Sequence, residues 1–181
     1  FVVTGGTGGI GTELVQWLID VQKVPAPHIV LLSRCASSAT PHPRGCTMIK
    51  IDLSQPNALA HCKDLHRVIR ESDGVEGIFH LAGVLADSMM INMTREKLEA
   101  VAAPKAASLL ELLGAARRQR WGTKWAFVFS STTSLLGYPG QSNYAAANAF
   151  LDGLMHVTCS RHEDATQYGS SYARLLGGRG G

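Results

Sequence analysis

Four polar side chains have types and spacings suited to proton transfer: Ser131, Tyr144, Asn148 and, upstream, Lys105. Tyr144 and Asn148 stand at positions i and i+4 of a predicted helix, so their side chains share one helix face. A tyrosine hydroxyl, with a pKa of about 10 in a free side chain, can donate a proton to a carbonyl that is being reduced. A neighbouring cation would lower that pKa, and Lys105 is the candidate. Singly, a core tyrosine and a solvated lysine would be ordinary; together, these residues predict an acid–base site.

The first residues of the chain have the pattern of an anion-binding loop. Residues 1–3 are apolar, residues 4–11 read TGGTGGIG, and apolar residues at helical spacing follow. Backbone N–H groups at such a helix N-terminus point outward, and glycine lets a pyrophosphate approach them closely. The alternative is an ordinary glycine-rich turn between a strand and a helix. The predicted cofactor contacts in this loop are Thr4, Gly5, Thr7, Gly8, Gly9, Ile10 and Gly11.

Apolar runs and helical patterns alternate along the rest of the chain. Strands are predicted at residues 1–3, 28–34, 47–52, 77–83 and 125–131, and loops at 35–46 and 134–143. Helices are predicted after residue 11, at 55–72, from Thr94 onwards with a kink or division at Pro104, and at 143–160. Leu98 and Leu110 are expected to face the core. The alternation is typical of an α/β fold of the Rossmann type, with a doubly wound parallel sheet.

Ligands of such sheets bind beyond the carboxyl ends of the strands, and the second strand ends in Ser33 and Arg34. Many NAD-binding proteins have an acidic residue near this point that holds the ribose 2′-hydroxyl. The guanidinium group of Arg34 would instead suit a 2′-phosphate. We therefore expect NADP rather than NAD, the alternative being that Arg34 is a surface arginine.

The third and fourth strands end in residues that would complete the cofactor site. Asp52 and Leu53 follow the third strand, where the carboxylate would either accept a hydrogen bond from an adenine amino group or cap the next helix. Ala82 and Gly83 follow the fourth strand, where small residues let a flat cofactor pass close to the backbone.

Composition excludes several other classes of protein. The 181 residues are 45% hydrophobic and 17% charged, as in a globular domain, and the net charge is +3. No basic stripe is interleaved with aromatic residues, so we expect no nucleic-acid partner. No apolar run reaches membrane-spanning length and no signal peptide precedes the first strand, so we expect no membrane association.

The four cysteines are scattered and the seven histidines lack ligand spacing. We therefore expect no metal site and no structural disulfide, and a reducing compartment, the cytoplasm. One domain is predicted over residues 1–160. Residues 161–181 read as an atypical tail with no convincing apolar strand, so that the fold would be incomplete at its C-terminus. Because the chain starts within its first strand, we expect it to have been excised from a longer one.

Several motifs resemble the ketoreductase domain of polyketide synthases and animal-type fatty acid synthases, within the short-chain dehydrogenase/reductase superfamily. They are TGGTGGIG, LLSR, IDLS, HLAGVL, APKAAS, VFSS and GYPGQSNYAAANAFLDGL, and they extend from residue 1 to about 155. Ordinary short-chain dehydrogenases have a lysine four residues after the tyrosine. Asn148 occupies that place here and the lysine, Lys105, lies upstream, as in the synthase ketoreductases.

The resemblance implies that NADPH reduces the β-keto group of an acyl chain carried on the phosphopantetheine of an acyl carrier protein. Tyr144 would donate the proton, Ser131 would hydrogen-bond the carbonyl oxygen, and Lys105 and Asn148 would complete a proton relay. The other domains of a synthase would be partners in the same parent chain. Two alternatives are a non-catalytic ketoreductase-like domain that holds a synthase together and a free-standing dehydrogenase of small ketones or alcohols.

Family features also bear on stereochemistry and on completeness. Leu85-Ala86-Asp87 matches the Leu-x-Asp motif of one stereochemical class, and Leu136 stands where the opposite class has a tryptophan. The resemblance therefore implies the B-type product, with Asp87 and Leu136 as stereocontrol positions. The family's helix between the second and third strands, the strand after the tyrosine helix and the lid helix are expected to be missing.

Overall fold

The computed structural model describes residues 1–34, 45–160 and 168–170. Its centre is a parallel sheet of six strands in the order β3-β2-β1-β4-β5-β6. The strands are β1 (Val2–Thr4), β2 (Val30–Ser33), β3 (Thr47–Lys50), β4 (Gly77–His80), β5 (Trp125–Val128) and β6 (Tyr168–Ser170). The helices are α1 (Gly9–Asp20), α2 (Lys63–Glu71), α3 (Arg95–Ala102), α4 (Ser108–Arg118), α5 (Thr133–Leu136) and α6 (Ser142–Ser160). The predicted Rossmann-type α/β fold is confirmed.

The strand order reverses direction beside β1, which lies between β2 and β4. Val3 is in register with Leu31 of β2 and Phe79 of β4, so the three strands end at the same edge of the sheet. A crevice opens where the order reverses in a doubly wound sheet, and ligands bind there. The fold therefore predicts a binding site above the carboxyl end of β1.

Both faces of the sheet are covered by apolar residues. Val2 packs with Leu109 and Leu151 of α4 and α6, whereas the next residue, Val3, packs with Val15 of α1 on the opposite face. This alternation follows from the two-residue period of a strand, and burial on both faces explains why the strands read as continuous apolar runs. The core thereby fixes the strand ends that carry the polar residues.

The structure corrects the predicted extent of two elements and the predicted burial of two leucines. Residues 55–72 do not form one helix, because Asn57 adopts a left-handed conformation (φ 57°) and only a 3₁₀ turn, Ala58–His61, precedes α2. The predicted loop at 134–143 includes the short helix α5. Leu98 and Leu110, expected in the core, are 44% and 50% exposed, since each lies on the outer side of its helix.

The largest difference concerns the strand expected to be missing after the tyrosine helix. β6 follows α6 and pairs in parallel with β5, with Gly169 opposite Phe127. Its three residues lack a continuous apolar run, and apolarity is the signal by which buried strands are recognised in sequences. The predicted loop at 35–46 lies outside the described residues at positions 35–44. The atypical tail lies outside them at positions 161–167 and 171–181, and the expected absence of the lid helix concerns these undescribed residues as well.

The helical stretch after Thr94 follows the sequence closely. The Thr94 hydroxyl oxygen accepts a hydrogen bond from the Lys97 N–H (3.4 Å) and caps α3. At Pro104 the helix widens into a π-helical turn, Ala103–Ala107, and resumes as α4. Pro104 lacks an N–H and cannot continue the α-helical ladder, so the predicted division at this residue is confirmed.

Candidate functional site

The glycine loop lies directly above the carboxyl end of β1 and touches the end of β4. Gly5 has φ +68°, and a Cβ built there would come within 2.7 Å of the Leu81 carbonyl carbon. A Cβ on Gly11 would lie 2.1 Å from the Gly5 carbonyl oxygen. Side chains are therefore excluded at both positions. No side chain of the described residues caps the N-terminus of α1, so its first N–H groups can bind an anion.

The first cavity, of about 240 Å³, lies between the ends of β1, β2, β3 and β4. Nine of the predicted cofactor residues line it: Thr4, Gly5, Thr7, Ser33, Arg34, Asp52, Leu53, Ala82 and Gly83. The exposed Arg34 is the cation of this lining. The carboxyl ends of the four strands therefore meet at one cavity, as expected for a doubly wound sheet, and the exposed guanidinium group of Arg34 lies at its outer rim.

Asp52 is engaged locally. Its Oδ1 accepts hydrogen bonds from the Ser54 N–H (3.0 Å) and the Ser54 hydroxyl (2.6 Å). These bonds stabilise the carboxylate and lower the pKa of Asp52 below its usual value. Asp52 thus holds a local turn with Ser54, and the predicted capping of the next helix is wrong, because the N-caps of the 3₁₀ turn and of α2 are Asn57 and Cys62.

The second cavity, of about 390 Å³, adjoins the first and shares Gly5, Gly83 and Val84 with it. The remaining glycine-loop residues line it on one side: Gly8, Gly9, Ile10 and Gly11. Lys105 and Tyr144 line it on the other. The two cavities form one groove across the glycine loop, a shape that fits an extended dinucleotide with one end beside Lys105 and Tyr144.

Lys105 is the buried cation of the second cavity. Its side chain is only 3% exposed, and Nζ donates to the Phe129 carbonyl oxygen (3.1 Å) while lying 5.2 Å from the centre of the Tyr144 ring. Burial lowers the pKa of Lys105 to about 8, against the opposing effect of the negative charge of Asp152. Near neutral pH the ammonium form therefore predominates and lies beside the tyrosine. A Cβ on Gly83 would lie 3.0 Å from Lys105 Cε, so this glycine also makes room for the lysine.

Tyr144 lines the second cavity from α6, and Asn148 lies one turn further along the same helix. Asn148 is fully buried, and its Nδ2 donates to the Tyr144 carbonyl oxygen (2.8 Å). Its Oδ1 is buried without a hydrogen-bond partner among the described residues. Buried acceptors are seldom unpaired, so an ordered water or another proton donor fits at Oδ1.

Ser131 follows the end of β5, next to Ser130 in the wall of the second cavity. Its hydroxyl oxygen accepts from the Thr133 N–H (3.2 Å) and lies 3.0 Å from the Thr133 hydroxyl oxygen, which donates to it. With both lone pairs used, the Ser131 hydroxyl proton is left for a further acceptor. Of the four predicted proton-transfer residues, Lys105 and Tyr144 therefore line the second cavity, whereas Ser131 and Asn148 lie beside it in the chain, next to Ser130 and one helical turn after Tyr144.

Asp87 lies in the loop after β4, and Leu136 ends α5, just before the loop that contains Gly140 and Gln141. The Asp87 carboxylate accepts from Gln141 Nε2 (2.9 Å), and the Ser88 N–H donates to the Gly140 carbonyl oxygen (2.7 Å), which ties the two loops together. Leu136 is 84% exposed at the end of α5. Neither residue is in the lining of the second cavity as the described residues form it, although Leu85, two residues before Asp87, is.

Sequence reasoning missed two features near the site. His80 is fully buried and contacts Lys105 through hydrogen bonding, and a polar residue in an otherwise apolar strand was the available signal. Asp152, two turns after Tyr144 along α6, acts on the pKa of Lys105. A further cavity, of about 710 Å³, lies on the face of the sheet that bears Phe79 and Trp125, and its lining among the described residues includes none of the predicted site residues.

Within the described residues, no cluster of histidine, cysteine, aspartate or glutamate could hold a metal ion. Among the helices that the structure describes, none is long and apolar enough to cross a bilayer.

Comparisons with known proteins agree with this geometry. The family model of the KR domain matches residues 1–171. A component of the phenolphthiocerol/phthiocerol polyketide synthase of Mycobacterium tuberculosis is 36% identical over 164 residues, which cover 86% of this chain and 8% of that protein. A 6-methylsalicylic acid synthase of Penicillium terrestre is 32% identical over 181 residues, covering 85% of this chain and 10% of that protein. The chain thus spans a tenth or less of the length of these relatives.

Two solved structures have the same fold. An N-terminal ketoreductase from the macrolactin assembly line superposes with a TM-score of 0.74 at 25% identity, covering 88% of this chain and 33% of that one. A ketoreductase domain from the bacillaene assembly line gives a TM-score of 0.73 at 25% identity, with 93% and 41% covered.

Proposed function

The chain belongs to the ketoreductase (KR) domain family of polyketide synthases, within the short-chain dehydrogenase/reductase superfamily, and we propose that it reduces the β-keto group of an acyl thioester with NADPH. The observation that carries the proposal is the buried Lys105 ammonium group beside the Tyr144 ring, in the cavity that also contains the glycine loop. A cationic lysine beside a tyrosine favours proton donation at neutral pH, and the loop is where a pyrophosphate fits.

The groove formed by the two cavities is suited to a nicotinamide dinucleotide. The N–H groups at the start of α1 would hold the pyrophosphate, and the first cavity would hold the adenosine half. When bound, the cofactor supplies the hydride that reduces the carbonyl carbon. The preference for NADPH is supported by Arg34 at the rim of the first cavity, because its planar guanidinium group matches phosphate oxygens.

The protein's own residues would manage the negative charge and the proton on the substrate oxygen. Ser131, whose hydroxyl proton is unengaged, would donate a hydrogen bond to the carbonyl oxygen as it becomes negative. Tyr144 would then donate its hydroxyl proton to that oxygen. The Lys105 ammonium group would stabilise the tyrosinate left behind. The unpaired Oδ1 of Asn148 would hold a water that returns a proton to the site.

The proposed substrate and partners rest on the similarity to known synthases rather than on the geometry of the groove. Proteins similar to this chain are polyketide synthases many times its length. We infer a β-ketoacyl chain on an acyl carrier protein as the substrate and further synthase domains as partners, with residues 1–160 as the NADP-binding catalytic domain. Asp87 and Leu136 would contact the incoming chain and set the B-type hydroxyl configuration. The free thiols of Cys46 and Cys62 fit a reducing compartment such as the cytoplasm.

Cofactor choice is tested by titrating the protein with NADPH and NADH while following cofactor fluorescence. We expect tighter binding of NADPH and a loss of that preference in Arg34→Ala, since the contact with the 2′-phosphate would be lost. Arg67→Ala, which removes an exposed arginine on α2, controls for the change of net charge. Equal affinities for the two cofactors in the wild type would contradict the assignment of Arg34.

The acid role is tested by turnover of a β-ketoacyl thioester of a short pantetheine analogue. Tyr144→Phe should lower kcat by roughly 10²–10⁴-fold while leaving NADPH binding intact. Tyr138→Phe is the matched control, because Tyr138 is exposed and is not in the lining of the second cavity. Chiral analysis of the product tests the B-type outcome. Full activity in Tyr144→Phe would refute the proposed acid, and the opposite configuration would refute the stereochemical assignment.

A further inference from the structure

His80, the last residue of β4, is a fully buried histidine whose two ring nitrogens are both hydrogen-bonded. Nδ1 lies 2.8 Å from Oγ1 of Thr4, at the end of β1, and Nε2 lies 2.9 Å from the Lys105 backbone carbonyl oxygen. The proton transfers described above do not use this ring. A buried imidazole is tolerated when both nitrogens are paired, so the question is what the two bonds connect.

The partners determine the tautomer of His80. A carbonyl oxygen can only accept, so Nε2 must carry the proton that it donates to Lys105. Nδ1 then has a lone pair and accepts from the Thr4 hydroxyl, whose oxygen in turn accepts the Ala82 N–H (3.2 Å). Burial lowers the pKa of His80 to about 4, so the ring stays neutral under ordinary conditions. The chain of hydrogen bonds therefore has one direction from Ala82 to Lys105.

The bond to Lys105 falls in the π-helical turn Ala103–Ala107, where the regular helical ladder is interrupted. The Ser108 N–H is shared there between the Ala103 and Lys105 carbonyls, and side-chain donors add to these backbone bonds. The Ser108 hydroxyl donates to the Pro104 carbonyl, and His80 donates to the Lys105 carbonyl. Two side chains thus hold consecutive carbonyls of the turn, one from within the helix and one from the sheet.

We propose that His80 is a positioning residue, which fixes the turn that carries the Lys105 ammonium group by donating to its carbonyl while anchored on Thr4. The inference rests on the proposed function, because it matters for turnover only if Lys105 acts on Tyr144. It adds a link between the two halves of the groove: Thr4 lines the first cavity, and Lys105 lines the second. The rotation of the turn decides where Nζ lies relative to Phe129 and Tyr144.

Two conservative variants separate the two bonds of the ring. His80→Asn places its amide near the position of Nδ1, so it can still bond to Thr4 but is too short to reach the Lys105 carbonyl. His80→Gln places its amide near the position of Nε2 and can donate to that carbonyl. We expect kcat to fall roughly 10²-fold in His80→Asn, with the dissociation constant for NADPH within about twofold of the wild type. In His80→Gln kcat should fall by less than about tenfold.

A second measurement does not depend on turnover. In ¹⁵N spectra of the whole chain, the His80 ring should show a protonated Nε2 and an unprotonated Nδ1. The ¹⁵Nζ signal of Lys105 should shift in His80→Asn and stay near the wild-type position in His80→Gln. An inactive wild type that shows these spectra would overturn the proposed function alone, since the spectra report the position of Lys105 without a reaction.

Three results would overturn the positioning role. The first is a proton on Nδ1 of His80 in the wild type. The second is an equal loss of kcat in His80→Asn and His80→Gln, which would indicate a merely structural role. The third is an unmoved Lys105 signal in His80→Asn, whether or not that variant is active.

Discussion

The neutral, buried state of His80 predicts that the protein loses stability in mild acid. The pKa of His80 is lowered from 6.5 to about 4, chiefly because burial disfavours the charged ring, and the positive charge of Lys105 acts in the same direction. The unfolded chain therefore binds a proton at this residue more readily than the folded chain does. The stability that depends on the neutral ring is complete above pH 6.5 and is lost as the pH falls towards 4.

The size of the effect follows from the two pKa values. Between about pH 7.5 and about pH 4.5, linkage gives a loss of roughly 2 to 3 kcal/mol in the free energy of unfolding from this residue. Urea denaturation at a series of pH values measures that free energy, provided that the transition is two-state at each pH. The reference is His80→Gln, which cannot titrate at this site but keeps a donor for the Lys105 carbonyl.

The difference between the wild type and His80→Gln isolates His80 from the other acidic and basic groups, whose contributions cancel to first order. We expect the free energy of unfolding to fall by roughly 2 to 3 kcal/mol more in the wild type than in the variant over this range. His61→Gln, at an exposed position, controls for the exchange of side chains as such. Parallel curves for the wild type and His80→Gln would refute the reasoning, since they would mean that the ring is protonated equally in both states.

Three further predictions concern the loop, a helix cap and the buried cation. Gly11→Ala should lower the free energy of unfolding by about 2 kcal/mol or more in urea denaturation, whereas Gly9→Ala, with open space at its Cβ, should not; equal losses would contradict the steric argument. Thr94→Ala should cost about 1 kcal/mol in the same assay and Thr94→Ser much less, because the serine keeps the capping oxygen; identical losses would exclude the cap. Asp152→Asn removes the charge that raises the pKa of Lys105, so the alkaline limit of kcat should move to lower pH, and an unmoved limit would show that Lys105 does not set it.

The sheet and the glycine loop could be predicted from the sequence because they depend on local sequence patterns. Continuous apolar runs mark strands buried on both faces, and Gly5 and Gly11 stand where backbone contacts leave no room for a side chain. The sequence also predicts that Arg34 and Asp52 line one cavity, because parallel strands end at the same edge of the sheet. Pro104 indicated the break in its helix because proline cannot donate to the ladder.

The features that the sequence did not reveal depend on contacts between distant segments. β6 pairs through its backbone with β5, so its side chains carry little signal. Asn57 interrupts a helical pattern by a left-handed conformation that many asparagines do not adopt. His80 reads as one polar residue in an apolar run, and its partners lie 76 and 25 residues away along the chain. Only the folded structure brings them together.

The separation of the lysine from the tyrosine helix explains why a long-range anchor is needed at all. A cation at the place of Asn148 would be positioned by α6 itself, because residues at i and i+4 share a face. Lys105 comes instead from a different element, and its own turn is irregular. Its position relative to Tyr144 then depends on contacts that cross the fold, and the Phe129 carbonyl alone fixes only the tip of the side chain. The bond from His80 fixes the backbone end, so the two contacts together determine both ends of the lysine.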